Sequence, residues 1–260
     1  MESTYRLNWN VEIRQCGDKM KCLGLFATHR LTKGLKVVSE EPLLVYESRD
    51  ELVAAITQQL PQLPEAGQQL FALLYAGHRD VAALLPAGAV RDTQATKPRR
   101  LRQIAQLNSF EGIGIGCLLS PGLAAINHDC APNAFMYYNP NTGSVNLHAL
   151  HDIDAGEEIS VSYFQEGNLK AFRDVLTQYH RLESPSMADT RLAIATSRQL
   201  VGVLEQEGLV GLDMSQCLAE QARMFATLGD NESEERVNRQ AMIIRRLCVG
   251  FDHPSCILNS

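Results

Sequence analysis

Asn127-His128-Asp129-Cys130-Ala131-Pro132-Asn133 and, one hairpin further on, Gly156-Glu157-Glu158-Ile159-Ser160-Val161-Ser162-Tyr163 are the stretches on which the reading of this chain turns. Between them, the apolar runs Phe135 to Tyr138 and Val145 to Leu150 predict two strands. Asn139-Pro140-Asn141-Thr142-Gly143 joins them and supplies the backbone freedom of a hairpin loop. A second turn, Asp152 to Gly156, leads into Ile159, Val161 and Tyr163, so the tyrosine closes a strand. Taken singly, an Asn-His pair is ordinarily a satisfied structural hydrogen bond, and a tyrosine ending a strand is ordinarily packing. Their joint order and separation carry the information.

Upstream, Trp9, Val11 and Ile13 alternate with Asn8, Asn10 and Glu12, the period of a half-buried strand. Gly24-Leu25-Phe26-Ala27 predicts a second strand, Leu35 to Val38 a third after Gly34, and Leu43 to Tyr46 a fourth after Pro42. From Asp50 the period lengthens: Leu52, Val53, Ile56 and Leu60 fall at helical spacing, and Leu70, Leu73 and Leu74 form a second stripe. Pro86 to Arg102 reads as a loop, with the basic run Lys97-Pro98-Arg99-Arg100-Leu101-Arg102 as a solvated face.

Beyond Phe164 the pattern is helical. Leu192, Ala195, Leu200, Val203 and Leu204 make one stripe, Leu218, Ala222, Met224 and Phe225 a second, and Val237, Met242, Ile243, Leu247 and Val249 a third. Asn231 with Glu234 predicts a capped helix start, and Gly229 and Gly250 stand where helices end. The expected division is a β-rich domain over 1–166, with a helical insert at about 50–105, and a helical region over 167–260.

At 260 residues and 45% hydrophobic, the chain can bury one sizeable core with a helical appendage. A net charge of -6 provides no surplus of cations for tracking phosphates, which argues against direct nucleic-acid binding and suits a basic partner. The seven cysteines are odd in number and never spaced CxxC, as expected of reduced thiols rather than a disulfide framework or zinc ribbon. No apolar run reaches the ~18–20 residues of a membrane span. Met1-Glu2-Ser3-Thr4 does not begin a basic-then-apolar leader, so the expectation is a soluble intracellular protein, cytoplasmic or nuclear, without membrane contact.

The two stretches resemble the paired signature of SET-domain methyltransferases, NHSCxPN and GEExxxxY. Leu25-Phe26-Ala27, Gly34 and Glu41-Pro42 resemble that family's opening pattern, and Asn108-Ser109-Phe110 resembles an element of its SET-and-MYND branch. The likeness is to small fungal proteins of that branch. The MYND zinc finger is absent, since no cysteine lies between Cys22 and Cys117.

The resemblance implies an α+β protein: a β-rich SET fold closed by a pseudoknot, with a helical insert and a tetratricopeptide-like C-terminal appendage. Threaded connections of this kind are rare. It implies S-adenosylmethionine as cofactor and a protein lysine as methyl acceptor. Tyr163 would orient the amine, Leu23, Gly24 and Leu25 would wrap the methionine portion, and Asn127 and His128 would hold the cofactor. Asn108, Phe110 and Arg181 would line the lysine channel, and no metal takes part in the transfer.

Three features depart from the family pattern. Cys22 replaces the leading glycine of the cofactor loop. Asp129 replaces a serine and sets a carboxylate beside His128, either as a turn residue or as an acid or acceptor for altered chemistry. Where the family has a cysteine-rich post-SET element, this chain has Glu183, Pro185 and Ala188 in place of the cysteines and Arg181 in place of an aromatic residue. Cys130 alone cannot build a tetrahedral site, so no zinc is expected. Three readings stay open at this point: a methyltransferase acting on a basic protein or peptide; a repurposed SET fold that binds or transforms, for example cyclises, a small organic molecule in a biosynthetic pathway; and a non-catalytic interaction module built on the helical tail.

Overall fold

The computed structural model describes residues 5–6, 8–16, 23–46, 51–65, 68, 71, 74, 98–112, 116–163, 174, 177–206 and 209–257. Among the described residues, three sheets carry the N-terminal part. In the first, β1 (Tyr5–Arg6), β2 (Val11–Gln15) and β3 (Leu23–Ala27) are followed by β11 (Glu158–Val161) and β8 (Asn127–His128). The second orders β4 (Lys36–Glu40), β10 (Ser144–Ala149) and β9 (Ala134–Asn139). The third orders β5 (Leu44–Tyr46), β7 (Gly116–Leu119) and β6 (Ser109–Gly112).

Alternation explains how the sheets meet. Val11, Leu25, Ile159 and Val161 point inward from the first sheet and Val38, Val145 and Leu147 from the second, all in one buried cluster with Leu118. The β9–β10 hairpin turns at Gly143, whose φ of 66° is open to a residue without Cβ. Because β9 and β10 belong to the second sheet, the chain leaves the first sheet after β8 and returns to it as β11. There it lies parallel to β8, so that the strands of the two motifs meet at one crossing point.

Two local readings are corrected here. Trp9 was expected on the buried side of the first strand, yet it is 78% exposed on a bend ahead of β2. Asn8 Oδ1 accepts from the N–H groups of Asn10 and Val11, a side-chain turn that breaks the alternation. The end of the expected loop at Arg102 is helical: α2 spans Pro98–Asn108, after α1 at Leu52–Gln59. A proline tolerated in the first turn and the buried face of Leu101 and Ile104, packed on Ile56 and Leu119, outweigh the basic run. The stripe of Leu70 and Leu73 lies outside the described residues.

The C-terminal helices α3 (Met187–Gln206), α4 (Leu212–Thr227) and α5 (Asn231–Val249) share a buried cluster that includes Ile194, Leu218, Phe225 and Val237. Two buried hydrogen bonds register them: Gln221 Nε2 donates to Ser197 Oγ and Ser215 Oγ to the Ala241 carbonyl, both at 2.8 Å. The cap of α5 is Asp230 rather than Asn231; its carboxylate accepts from Ser233 N–H, and Gly229 and Gly250 take positive φ at the ends of α4 and α5. Cys248 and Val249 of α5 and Cys256 of the short α6 (Pro254–Ile257) pack on Tyr137 and Leu150 of the β-rich part. Lys36 pairs with Asp252 at 3.1 Å across the same seam, and burial holds the His148 imidazole below its usual titration range. Among the described residues, no helix is long and apolar enough to cross a membrane.

Gly250 is the tightest point of that seam. At φ 77° and ψ 171° it occupies backbone space open almost only to glycine, and a Cβ there would lie 2.8 Å from the His148 ring. Gly250→Ala is therefore expected to lower stability by about 2–3 kcal/mol, read as a shifted urea midpoint. A shift under about 0.5 kcal/mol would show that the seam yields without cost.

Candidate functional site

The site forms where β8 meets β11. Ser160 pairs with Asn127 and Val161 with His128 in parallel register, and Asp129 N–H continues the ladder to the Val161 carbonyl at 3.1 Å. Two side chains outside the pairing deliver this segment. The Glu40 carboxylate accepts from the N–H groups of Gly122 and Leu123, each at 3.1 Å, and so caps the 3₁₀ turn Leu123–Ala125 that runs into Ile126 and Asn127. Asn133, last residue of the first motif, clamps β11: its Nδ2 donates to the Glu158 carbonyl and its Oδ1 accepts from Ser160 N–H, both at 2.9 Å.

The signature side chains converge on this crossing. Asn127 Nδ2 donates to the Leu23 carbonyl at 3.0 Å, to Glu158 Oε1 at 2.6 Å and towards Cys16 Sγ at 3.4 Å. His128 Nδ1 accepts from Tyr163 N–H at 3.0 Å, so a neutral imidazole carries its proton on Nε2, which faces Cys130 Sγ at 3.5 Å. The Tyr163 hydroxyl donates to the Ile126 carbonyl at 2.6 Å, its ring centroid lies 5.2 Å from that of His128, and the residue is 61% exposed. Asn127, His128, Leu23 and Tyr163 are thus brought together.

The other expected site residues lie as follows. A Cβ on Gly24 would fall 2.5 Å from Glu158 Oε1, 2.8 Å from Cys16 Sγ and 2.9 Å from the Phe26 ring, so a larger residue would have to displace those groups. Leu25 is fully buried, and its backbone is paired on one side with Ile13 and on the other with Ile159. Asn108 is buried at the end of α2 and donates to the Ile104 carbonyl of its own helix at 2.5 Å. Phe110 is half-buried against the central core. Arg181 is exposed after a helical turn, its backbone N–H donating to Thr177 and Gln178. Asp129 is exposed and its carboxylate accepts from Ala131 N–H at 2.9 Å, the arrangement of a turn residue. Cys22 lies outside the described residues.

Sequence reasoning missed Cys16, Glu40, Asn133 and Glu158 as contributors. Asn133 and Glu158 lie within the two quoted motifs, so their identity was visible; what each touches was not. Among the described residues, no group of three or more His, Cys, Asp or Glu is gathered so as to hold a metal ion.

A family model of the SET domain matches residues 23–164, and the chain belongs to the SET-domain family. Among curated proteins, it is similar to the Histone-lysine N-methyltransferase set5 of Schizosaccharomyces pombe, 28% identical over 143 residues, 55% of this chain and 39% of that protein. It is also similar to a SET and MYND domain-containing protein of Dictyostelium discoideum, 41% identical over 63 residues, 24% of this chain and 17% of that protein. The chain therefore spans less than half the length of these relatives. Among solved structures, the SET domain of LSMT bound to lysine and AdoHcy aligns with 94% of this chain and 88% of its own at 11% identity and a TM-score of 0.36. Rubisco LSMT bound to AdoMet aligns with 96% and 90% at 13% identity and a TM-score of 0.36.

The carboxyl of Glu40 supports the site and titrates. Burial raises it above its ordinary value of 4.5, against the opposing pull of the Gly122 and Leu123 N–H groups. The folded protein then holds this proton where the unfolded chain has released it, so the group's contribution to stability falls as pH rises above that value. Glu40→Gln cannot ionise and keeps one carbonyl acceptor for two donors. The deficit of the variant in urea midpoint is expected to be larger at pH 4 than at pH 7; an equal deficit at both would count against a raised carboxyl.

Proposed function

We propose that this SET domain is an S-adenosylmethionine-dependent protein-lysine N-methyltransferase with Tyr163 as its catalytic residue. The observation that carries the reading is the meeting of Asn127, His128 and Tyr163 at the β8–β11 crossing, with the Tyr163 hydroxyl donating to the Ile126 carbonyl. The name of the fission-yeast relative, a histone-lysine N-methyltransferase, supports the same class.

The residues present fit the cofactor's amino-acid end. Asn127 spends its Nδ2 within the protein, while no described residue donates to its Oδ1, which leaves an acceptor for an ammonium group. Bound S-adenosylmethionine supplies an electrophilic methyl group on a sulfonium. The chain's task is then orientation. Tyr163 has its proton committed to Ile126, so its oxygen faces an incoming neutral amine as an acceptor and holds the nitrogen lone pair in line. His128, fixed by Tyr163 N–H, keeps the tyrosine backbone in place. Holding two reactants in line is worth roughly 7–11 kcal/mol of a barrier.

A basic protein or peptide suits the charge of the surroundings. Asp129 and Glu157 are exposed on the two motifs, and the whole chain carries -6. Tyr163, open to solvent, is in reach of a side chain presented by a large substrate.

Calorimetric titration of S-adenosylmethionine, paired with labelled-methyl transfer to a mixture of lysine-containing basic peptides, tests the reading. Wild type is expected to bind, and Asn127→Ala to bind about tenfold more weakly. Tyr163→Phe is expected to keep cofactor affinity within about threefold while transfer falls by roughly 10²-fold or more. Absence of binding at millimolar cofactor would sink the methyltransferase and turn attention to small organic ligands. Binding without transfer, unchanged in Tyr163→Phe, would point to an interaction module.

A further inference from the structure

We propose that Glu158 is a positioning residue: its carboxylate locks the Asn127 amide so that Oδ1 is presented to the cofactor's α-ammonium, and adds a negative charge behind it. The inference rests on the reading just given and names how this chain prepares the site. It begins with an orientation that hydrogen-bond chemistry decides. The Leu23 carbonyl at 3.0 Å and Glu158 Oε1 at 2.6 Å are both acceptors, so the group facing them must be Nδ2; the flipped amide would set oxygen against oxygen. The 2.6 Å contact to a carboxylate is a charge-assisted bond and the stronger of the two. Both protons of Nδ2 are thereby directed inward, and Oδ1 is left to point the other way.

Glu158 is itself held in place. Cys16 Sγ donates to the same Oε1 at 3.5 Å, and the Glu158 backbone carbonyl takes the Asn133 amide at 2.9 Å. The carboxylate seats over Gly24, where a Cβ would stand 2.5 Å from Oε1. Gly24 thus has a use in this chain besides freedom of the backbone: it leaves the room the carboxylate fills. Register brings this about, since Glu158 pairs with Phe26 across β3 and β11, two residues from Gly24 on the same face.

The consequence is selectivity for a cation. An ammonium donor meets a neutral acceptor, Asn127 Oδ1, with a carboxylate bonded to the far side of the same amide. A ligand that lacks the amino-acid end gains nothing from either. Loss of the Glu158 charge should therefore weaken one class of ligand and spare the other, which a merely structural role would not do.

The test compares wild type with Glu158→Gln, using S-adenosylmethionine, S-adenosylhomocysteine, which carries the amino-acid end on a neutral thioether and should weaken alike, and 5′-methylthioadenosine, a neutral thioether with the adenosine but no amino-acid end. Calorimetry is expected to show S-adenosylmethionine weakened about tenfold in the variant. Methylthioadenosine affinity should change less than about twofold. In the cofactor-free protein, the side-chain amide resonances of Asn127 in a nitrogen-proton correlation spectrum should shift or broaden. Glu158→Asp, which keeps the charge on a shorter arm, serves if the glutamine variant does not fold, and should restrict the loss to the amino-acid-bearing ligands. Equal weakening of all three ligands, or unmoved Asn127 resonances in a wild type that binds S-adenosylmethionine, would overturn the positioning role and leave the methyltransferase standing. A wild type that binds none of these ligands would remove the methyltransferase reading and this inference with it.

Discussion

The parallel pairing of β8 with β11 is the constraint on which the rest of the structure depends, and as a sheet contact it is very small. Two register pairs, Ser160 with Asn127 and Val161 with His128, cannot sustain a strand pair by themselves. Side chains extend the ladder at both ends: Asn133 bonds both Glu158 and Ser160, His128 accepts from Tyr163 N–H, and Tyr163 donates to Ile126. The polar groups that close the crossing are thus the same groups that line the candidate site. A change at either motif therefore acts on the fold and on the candidate site together.

The helical region attaches by a different kind of contact. Cys248, Val249 and Cys256 bury against Tyr137 and Leu150, and the charged pair Lys36–Asp252 lies at the rim, where solvent screens it. Burial raises the Tyr137 hydroxyl well above its ordinary value and lowers His148, so both side chains are kept neutral in the seam. Neutral aromatic groups meeting edge to face, as Tyr137 does with His148 and His253, suit such a dry contact.

The departures from the family pattern fall into place unequally. Asp129 lies at the surface and bonds Ala131 N–H two residues on, so its carboxylate serves the turn and leaves the crossing unchanged. Cys130 faces His128 Nε2 at 3.5 Å; Glu183 and Ala188, at two of the positions where the family has cysteines, are exposed. Arg181 sits at the end of a helical turn with its backbone satisfied by Thr177 and Gln178.

Much of the β-rich part was legible because its signals are local. Alternation marked β2, short apolar runs marked β3, β9 and β10, a glycine-bearing turn marked the β9–β10 hairpin, and the two motifs marked the family. Trp9 and the start of α2 misled for the opposite reason: a side-chain turn at Asn8 and burial of Leu101 and Ile104 overrode the nearby pattern. By itself the sequence determined the family and which residues make up its two motifs, since NHDCAPN and GEEISVSY are strings that need no coordinates to read. Only the tertiary structure decided what those residues touch. Asn127 reaches Glu158, Leu23 and Cys16 across separations of 31, 104 and 111 residues, and Gly24 leaves room for a carboxylate from another strand. Such contacts arise from the crossing of β8 and β11 and from strand register, which are properties of the folded chain as a whole and leave no periodicity in any one segment.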